Sequence, residues 1–194
     1  ENGRSVVTGV VLGGAVIFGG RYWINFQHAK TEQAAAMYQQ VQMNISDDDL
    51  TAAEDLTQEL MQSHSSTPYA AFATLELAAE QARKDQPAAA LEYLKWTADK
   101  AKLTGQKDLA RLRMVRVLVD QGEYEQALQL AQQSSSEGFI SLFAELEGDI
   151  YLAQESKAEA FEAYRNALSS MDEDDPRKTL LEMKRDDVAV INES

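Results

Sequence analysis

The N-terminal segment contains an apolar run that occurs once in the chain. No side chain from Ser5 to Gly20 is charged, and Arg21, Tyr22 and Trp23 follow directly. A bilayer core about 30 Å thick requires about 20 helical residues, which is the span from Ser5 to Ile24. Arg21 at its end can reach the headgroups, and Tyr22 and Trp23 are typical interfacial side chains. The run predicts one transmembrane helix over residues 5–24, with residues 1–4 before it and one domain, residues 25–194, after it.

A cleaved signal peptide is the main alternative for this run. Signal peptides place small residues directly after the apolar segment. Arg21, Tyr22 and Trp23 occupy that place here, which favours an anchor that stays attached. Charge does not decide the orientation, because basic residues lie on both sides of the run. The chain begins with Glu1 rather than methionine, so we expect further residues upstream.

Glycine is concentrated in the apolar run. Gly9 and Gly13 form a Gly-x-x-x-Gly pair, and Gly20 closes the run. Small residues let a second membrane helix approach closely, so these three glycines are candidates for helix packing. The alternative is that they reflect the general frequency of glycine in membrane helices.

The rest of the chain has an acidic and strongly helical composition. The net charge is −14, and because residues 1–30 carry +2, residues 31–194 carry −16. Nucleic acid as a partner is therefore not expected. The absence of cysteine excludes disulfides, thiolate metal sites and a cysteine nucleophile. Alanine, glutamine, glutamate and leucine dominate and prolines are few, which predicts an all-α domain.

A helix-pair pattern recurs along this domain. Residues 121–128, Gln-Gly-Glu-Tyr-Glu-Gln-Ala-Leu, have the turn and second helix of a tetratricopeptide repeat. A second copy carries its small and aromatic positions at Gly148, Tyr151, Ala160, Tyr164 and Ala167. Aligning the central alanines gives Ala53, Ala90, Ala127 and Ala160, which are 37, 37 and 33 residues apart. The spacing predicts about four helix pairs in an α-solenoid, closed by a C-terminal capping helix.

Helix boundaries follow from local signals. Asp47 to Asp49 supply cap candidates, Pro87 suits a first helical turn, and Pro176 is placed to open the last helix. The predicted helices cover residues 25–44 (with continuity into the apolar run left open), 48–63, 68–84, 87–102, 106–121, 123–134, 138–154, 156–170 and 176–190.

The first helices of the pairs are expected to line a groove that binds a partner or client. Counting from the central alanines places nine side chains there: Phe72, Leu75, Leu109, Leu112, Arg116, Val119, Leu142, Glu145 and Asp149. An amphipathic helix or an extended apolar peptide would suit such a groove. The alternative is that the C-terminal helix or another segment of this chain fills it.

Catalytic, cofactor and metal sites are not predicted. His28 and His64 lack ligand partners at helical spacing. The pairs Glu145/Asp149 and Asp172/Asp174 lack a calcium-binding loop around them, so solvated charge is the preferred interpretation. The expected class is a non-enzymatic interaction protein.

Several segments, taken together in order, resemble the YfgM-type ancillary subunit of the bacterial SecYEG translocon. They are residues 1–3, 9–13, 20–23, 69–78, 137–148 and 182–184. Residues 44–50 and 103–107 depart from the family pattern.

The resemblance implies a single-pass inner-membrane protein with a cytoplasmic N-terminus and a periplasmic repeat domain. It further implies association with SecYEG and with the periplasmic chaperone PpiD, and a role in passing unfolded secretory polypeptides to periplasmic chaperones. The family has no catalytic residues to transfer. A second hypothesis is a tethered regulator that sequesters a stress-signalling protein, which would act from the opposite side of the membrane.

Overall fold

A computed structural model describes residues 2–133 and 135–190, with side chains described for residues 19–133 and 135–189. The described chain contains helices and turns but no strand. Its helices are α1 (Asn2–Ser46), α2 (Leu50–Ser63), α3 (Pro68–Arg83), α4 (Pro87–Lys100), α5 (Thr104–Asp120), α6 (Tyr124–Ala131), a 3₁₀ turn (Glu137–Phe139), α7 (Ile140–Ala153), α8 (Lys157–Ser169) and α9 (Lys178–Val190). The chain divides into two compact units, Glu1–Ala73 and Thr74–Ser194.

The central alanines confirm the predicted repeat alignment. Ala53, Ala90, Ala127 and Ala160 are each 0% exposed and lie on α2, α4, α6 and α8. Each lies on the second helix of its pair and is enclosed by protein, where a small side chain suits close packing. The all-α, tetratricopeptide-repeat-like architecture is therefore as predicted.

Most predicted helix boundaries lie within two residues of the observed ones, and among α2 to α9 the largest difference is at α6. Helix α6 ends at Ala131, three residues before the predicted end at residue 134. Helix α9 begins at Lys178 instead of Pro176. The Asp175 carboxylate accepts the backbone N–H of Arg177 at 2.9 Å and its guanidinium at 2.6 Å, so these residues form a turn ahead of the helix.

The turns inside the helix pairs share one backbone geometry. Asp48, Asp85, Gly122 and Glu155 have φ values of 62°, 58°, 76° and 61°, and their spacings match those of the central alanines. At each turn the backbone N–H of the following residue donates a hydrogen bond to a carbonyl oxygen in the last turn of the preceding helix. At Gly122, for example, the N–H of Glu123 donates to the carbonyl oxygen of Leu118 at 2.9 Å. This is the Schellman helix end, which requires a left-handed residue. Of the four residues, Gly122 is the glycine, and the other three adopt the left-handed conformation with a side chain present.

The first unit is built around the packing of α1 against α2. Ala34, Met37 and Val41 of α1 are buried, as are Thr57 and Leu60 of α2. Asp49 caps α2, because its side chain accepts a hydrogen bond from the backbone N–H of Ala52 at 3.1 Å. The helix cap predicted within the run from Asp47 to Asp49 is therefore confirmed.

Helix α1 runs without interruption from Asn2 to Ser46. Across the residues with described side chains, none of the helices combines the length and apolar character needed to cross a bilayer. The greater part of the predicted span, residues 5–18, lies outside that range. The transmembrane helix over residues 5–24 therefore stays a prediction.

The second unit contains three apolar clusters that overlap along the chain. The first joins α3, α4 and α5, the second joins α5, α6 and α7, and the third joins α7, α8 and α9. Helices α5 and α7 each contribute to two clusters. Burying each large apolar side chain stabilises the fold by about 1.5–3 kcal/mol, so neighbouring repeats depend on one another.

Candidate functional site

Six of the predicted groove residues of the second unit differ in how exposed their side chains are. Leu75 and Leu112 are 4% exposed and lie inside the clusters between helices. Leu109, Val119 and Leu142 pack against the same clusters and are half-buried. Arg116 is exposed. Of these six residues, Arg116 is therefore the one with an exposed side chain.

Phe72 belongs to an aromatic cluster in the first unit. Its ring centroid lies 5.8 Å from that of Tyr38 on α1 and 6.2 Å from that of Tyr69 on α3, and the two tyrosine centroids are 5.9 Å apart. Phe72 is 38% exposed, so the cluster offers a partly open aromatic surface. Such rings can contact an apolar side chain of a partner at little entropic cost.

The acidic residues predicted for the groove are held by the C-terminal helix. Lys184 of α9 places Nζ 2.8 Å from Glu145 Oε1, 2.9 Å from Asp149 Oδ1 and 3.0 Å from Asp149 Oδ2. Arg177 approaches Glu145 Oε2 at 3.8 Å. Lys184 of α9 and Arg177 before it therefore cover Glu145 and Asp149, two of the nine residues predicted to line the groove.

A buried tyrosine completes this ionic group. The hydroxyl of Tyr164 on α8 donates to Asp149 Oδ1 at 2.8 Å, and Lys184 Nζ lies 5.8 Å from its ring centroid. Burial, together with the hydrogen bond to Asp149 and the charges of Asp149 and Glu145, raises the pKa of Tyr164 far above its usual value. Burial lowers the pKa of Lys184, but the hydrogen bonds and charges of Glu145 and Asp149 outweigh it and the net shift is upward.

These two raised pKa values predict alkaline destabilisation. In the unfolded chain, Tyr164 and Lys184 lose their protons above their ordinary pKa values of 10.0 and 10.5. In the folded chain both side chains stay protonated to higher pH. Stability should therefore be fully present below about pH 10 and fall as the pH rises further. Urea unfolding followed by circular dichroism between about pH 8 and pH 11 measures this. The variant Lys184→Met should be less stable at pH 8 and should lose part of the pH dependence; an unchanged pH slope would contradict the assignment to Lys184.

A second feature of the second unit is a cleft between α3 and α5. It has a volume of ≈ 360 Å³ and is lined by Ala78, Ala79, Ala82, Leu94, Arg113, Arg116, Val117 and Asp120. Arg113 donates from a terminal guanidinium nitrogen to the carbonyl oxygen of Leu75 at 2.8 Å. Burial and the nearby Arg116 lower the pKa of Arg113, and Glu76 opposes that shift.

Arg113 was not predicted from the sequence. Its position three residues before Arg116, on the same side of one helix, was the available signal.

The residues predicted at the membrane interface are exposed. Tyr22 is 76% and Trp23 62% exposed, and Arg21 is exposed as well. A side chain added at Gly20 would meet no atom within 4 Å. Gly9 and Gly13 lie among the residues without described side chains, so their packing role stays a prediction.

Within residues 19–133 and 135–189, no group of three or more acidic or histidine side chains is arranged to hold a metal ion. His64 is buried and its Nδ1 has no hydrogen-bond partner among these residues. His28 on α1 lines a separate cleft with Trp23 and Thr67. The two histidines are thus not brought together with acidic side chains into a reactive centre.

Comparison with known proteins gives matches over nearly the whole chain. A family model described as a tetratricopeptide repeat-like domain matches residues 1–190. A Haemophilus influenzae protein named ancillary SecYEG translocon subunit is 29% identical over 88% of this chain and 83% of its own length. An Escherichia coli protein of the same name is 28% identical over 88% of this chain and 82% of its own length. A Neisseria gonorrhoeae protein of that name is 35% identical over 66% of this chain and 61% of its own length. The resemblance identified from the sequence is confirmed.

Proposed function

We propose that this chain, which belongs to the tetratricopeptide repeat-like domain family, is a non-enzymatic, membrane-anchored adaptor of the SecYEG translocon. The observation that carries the proposal is the similarity, over 88% of this chain, to relatives named ancillary SecYEG translocon subunit. In this proposal the repeat domain lies in the periplasm. It works with the chaperone PpiD and helps to pass unfolded secretory polypeptides onward.

Exposed apolar residues near the middle of α1 support a membrane anchor. Four large apolar side chains, Tyr22, Trp23, Ile24 and Phe26, are 49–76% exposed. Successive helix positions are about 100° apart, so these side chains point in several directions around the helix. A helix that is apolar all round belongs in lipid or inside a protein assembly. We place the single transmembrane helix at residues 5–24, with residues 1–4 on the cytoplasmic side.

The helix pairs support a binding function rather than a catalytic one. The aromatic cluster of Tyr38, Tyr69 and Phe72 and the arginine-lined cleft are both open to a partner. Repeat domains of this kind bind through extended surfaces built from several helices. The charge of −16 on residues 31–194 disfavours nucleic acid as that partner.

The membrane glycines provide a test of translocon docking. The double variant Gly9→Leu/Gly13→Leu should reduce co-purification with SecYEG several-fold, because two leucines prevent close approach of a partner helix. Val10→Leu/Val11→Leu is the matched control, since it adds bulk to the same segment while leaving both glycines. Co-purification in mild detergent, quantified by immunoblot, is the measurement. Equal recovery of both double variants would contradict a docking face at the glycines.

Topology separates the adaptor from a regulator that sequesters a signalling protein. The chain has no cysteine, so a single cysteine can be introduced at an exposed position such as Gln62 or Gln132. Labelling of that cysteine shows on which side of the membrane the repeat domain lies. In intact cells with a permeabilised outer membrane, an impermeant thiol reagent should label it. Labelling only after the inner membrane is opened would overturn the periplasmic location and favour the regulator.

A further inference from the structure

A cleft in the first unit lies where α1 leaves the predicted transmembrane span. It has a volume of ≈ 400 Å³ and is formed by α1 and the turn between α2 and α3. Helix α2 packs on α1 after the turn at residues 47–49, so its 14 residues run back along α1 for about 21 Å. This path returns the α2–α3 turn to the side of the span. The cleft is lined by Trp23, Ile24, Gln27, His28, Thr31, Ser66 and Thr67.

The lining residues of α1 cover the depth of a lipid headgroup layer. The predicted span ends at Ile24, and Thr31 lies seven positions later, or about 10 Å farther along the helix axis. Each headgroup layer of a bilayer is about 5–8 Å thick. With the span in place, Gln27 and His28 therefore lie at the level of the headgroups. Ser66 lines the same cleft, so the α2–α3 turn lies at that level too.

The two segments that form this cleft carry no carboxylate. Residues 20–31 contain Arg21 and Lys30 but no acidic residue, and residues 60–75 contain no charged residue. By contrast, residues 31–194 as a whole carry a charge of −16, which anionic headgroups would repel. The cleft is therefore a place where the first unit can approach lipid phosphates without repulsion.

The cleft also offers hydrogen-bond donors. The hydroxyls of Thr31 and Thr67 each donate to a backbone carbonyl oxygen at 2.8 Å, so they are already used. Within the part of the chain whose side chains are described, the amide of Gln27, the imidazole of His28 and the hydroxyl of Ser66 form no hydrogen bond. His28 and Ser66 are exposed, so both can reach a ligand in the cleft.

We infer that this cleft binds the phosphate of a phospholipid headgroup and thereby holds the α2–α3 turn at the membrane surface. His28 and Ser66 donate hydrogen bonds to the phosphate oxygens, and bonds to a charged acceptor are stronger than those between neutral groups. Trp23 and Ile24 contact the lipid beneath the phosphate, where amphipathic and apolar side chains are favoured. The inference rests on the proposed function, because it takes the transmembrane helix at residues 5–24 as given.

The test places a fluorescent probe at Ser66 of the full-length chain. The chain has no cysteine and Ser66 is exposed, so Ser66→Cys can be labelled without disturbing the core. The chain is reconstituted into vesicles of phosphatidylethanolamine and phosphatidylglycerol, part of which carries a nitroxide quencher on the headgroup. Ser46→Cys is the matched control, because Ser46 is exposed and lies about 33 Å from Ile24 along α1. Quenching should be several-fold stronger at residue 66 than at residue 46.

A carboxylate introduced into the cleft tests the phosphate contact itself. In the chain labelled at residue 66, His28→Glu should reduce the quenching at least about twofold, because it removes a donor and repels the phosphate. Gln39→Glu is the control, since it adds the same charge about three turns farther along the same face of α1. Gln39 is exposed and does not line the cleft, so its substitution should leave the quenching unchanged.

Equal quenching at residues 66 and 46 would overturn the inference, and so would quenching at residue 66 that His28→Glu leaves unchanged. Flotation of the same vesicles on a density gradient scores the anchor separately. A chain that floats with its probe at residue 66 unquenched rejects the headgroup contact alone. A chain that stays in the dense fraction rejects the membrane anchor of the proposed function and the inference with it.

Discussion

Gly148→Ala should destabilise the repeat domain by about 2–3 kcal/mol. A Cβ at this position would lie 2.4 Å from two ring carbons of Tyr164, a distance at which the ring or α7 must move. The ring cannot move aside easily, because Tyr164 is 0% exposed and its hydroxyl donates a hydrogen bond to Asp149. Alanine favours a helix over glycine by about 1 kcal/mol, which offsets only part of the overlap.

Gly105→Ala is the matched control for this substitution. Gly105 also lies in a helix, but a Cβ there would meet nothing within 4 Å. It should leave stability unchanged or raise it slightly. Urea unfolding of both variants measures the difference. Equal stabilities for the two variants would mean that the close approach of α7 and α8 at Tyr164 is not as described.

Leu181→Ala should cost about 2–5 kcal/mol and release the C-terminal helix. Leu181 is 1% exposed and packs in the third cluster with Tyr164 and Val188. Its loss leaves a cavity where α9 meets α8, so the ionic contacts of Lys184 with Glu145 and Asp149 would hold the helix with less support.

The neighbouring Leu180 offers a control of the same residue type. It is 57% exposed, so Leu180→Ala should change the free energy of unfolding by less than about 0.5 kcal/mol. Limited proteolysis complements the unfolding measurement, because a released α9 should be cleaved faster in the segment from residue 170 to 177. A Leu181→Ala chain as resistant as the control would show that α9 does not depend on this contact.

The candidate site was only partly predictable. Counting along the repeats placed Leu75 and Leu112 on the groove, yet both face the clusters between helices, since neighbouring helix positions differ by about 100°. The same counting identified Arg116 but not Arg113. The bond of Arg113 to the carbonyl oxygen of Leu75 joins α5 to α3, so periodicity along one helix could not identify it.

The sequence by itself determined the helical class, the repeat alignment and most helix boundaries. These follow from local preferences: low glycine and proline content, alanines at a fixed spacing, and caps such as Asp49. The tertiary structure decided that Lys184 meets Glu145 and Asp149, 39 and 35 residues away, and that Arg113 donates to the carbonyl oxygen of Leu75, 38 residues away. Such pairings depend on how far each helix is rotated and shifted against its neighbours, and that is set by the packing of whole side chains rather than by their pattern along the chain.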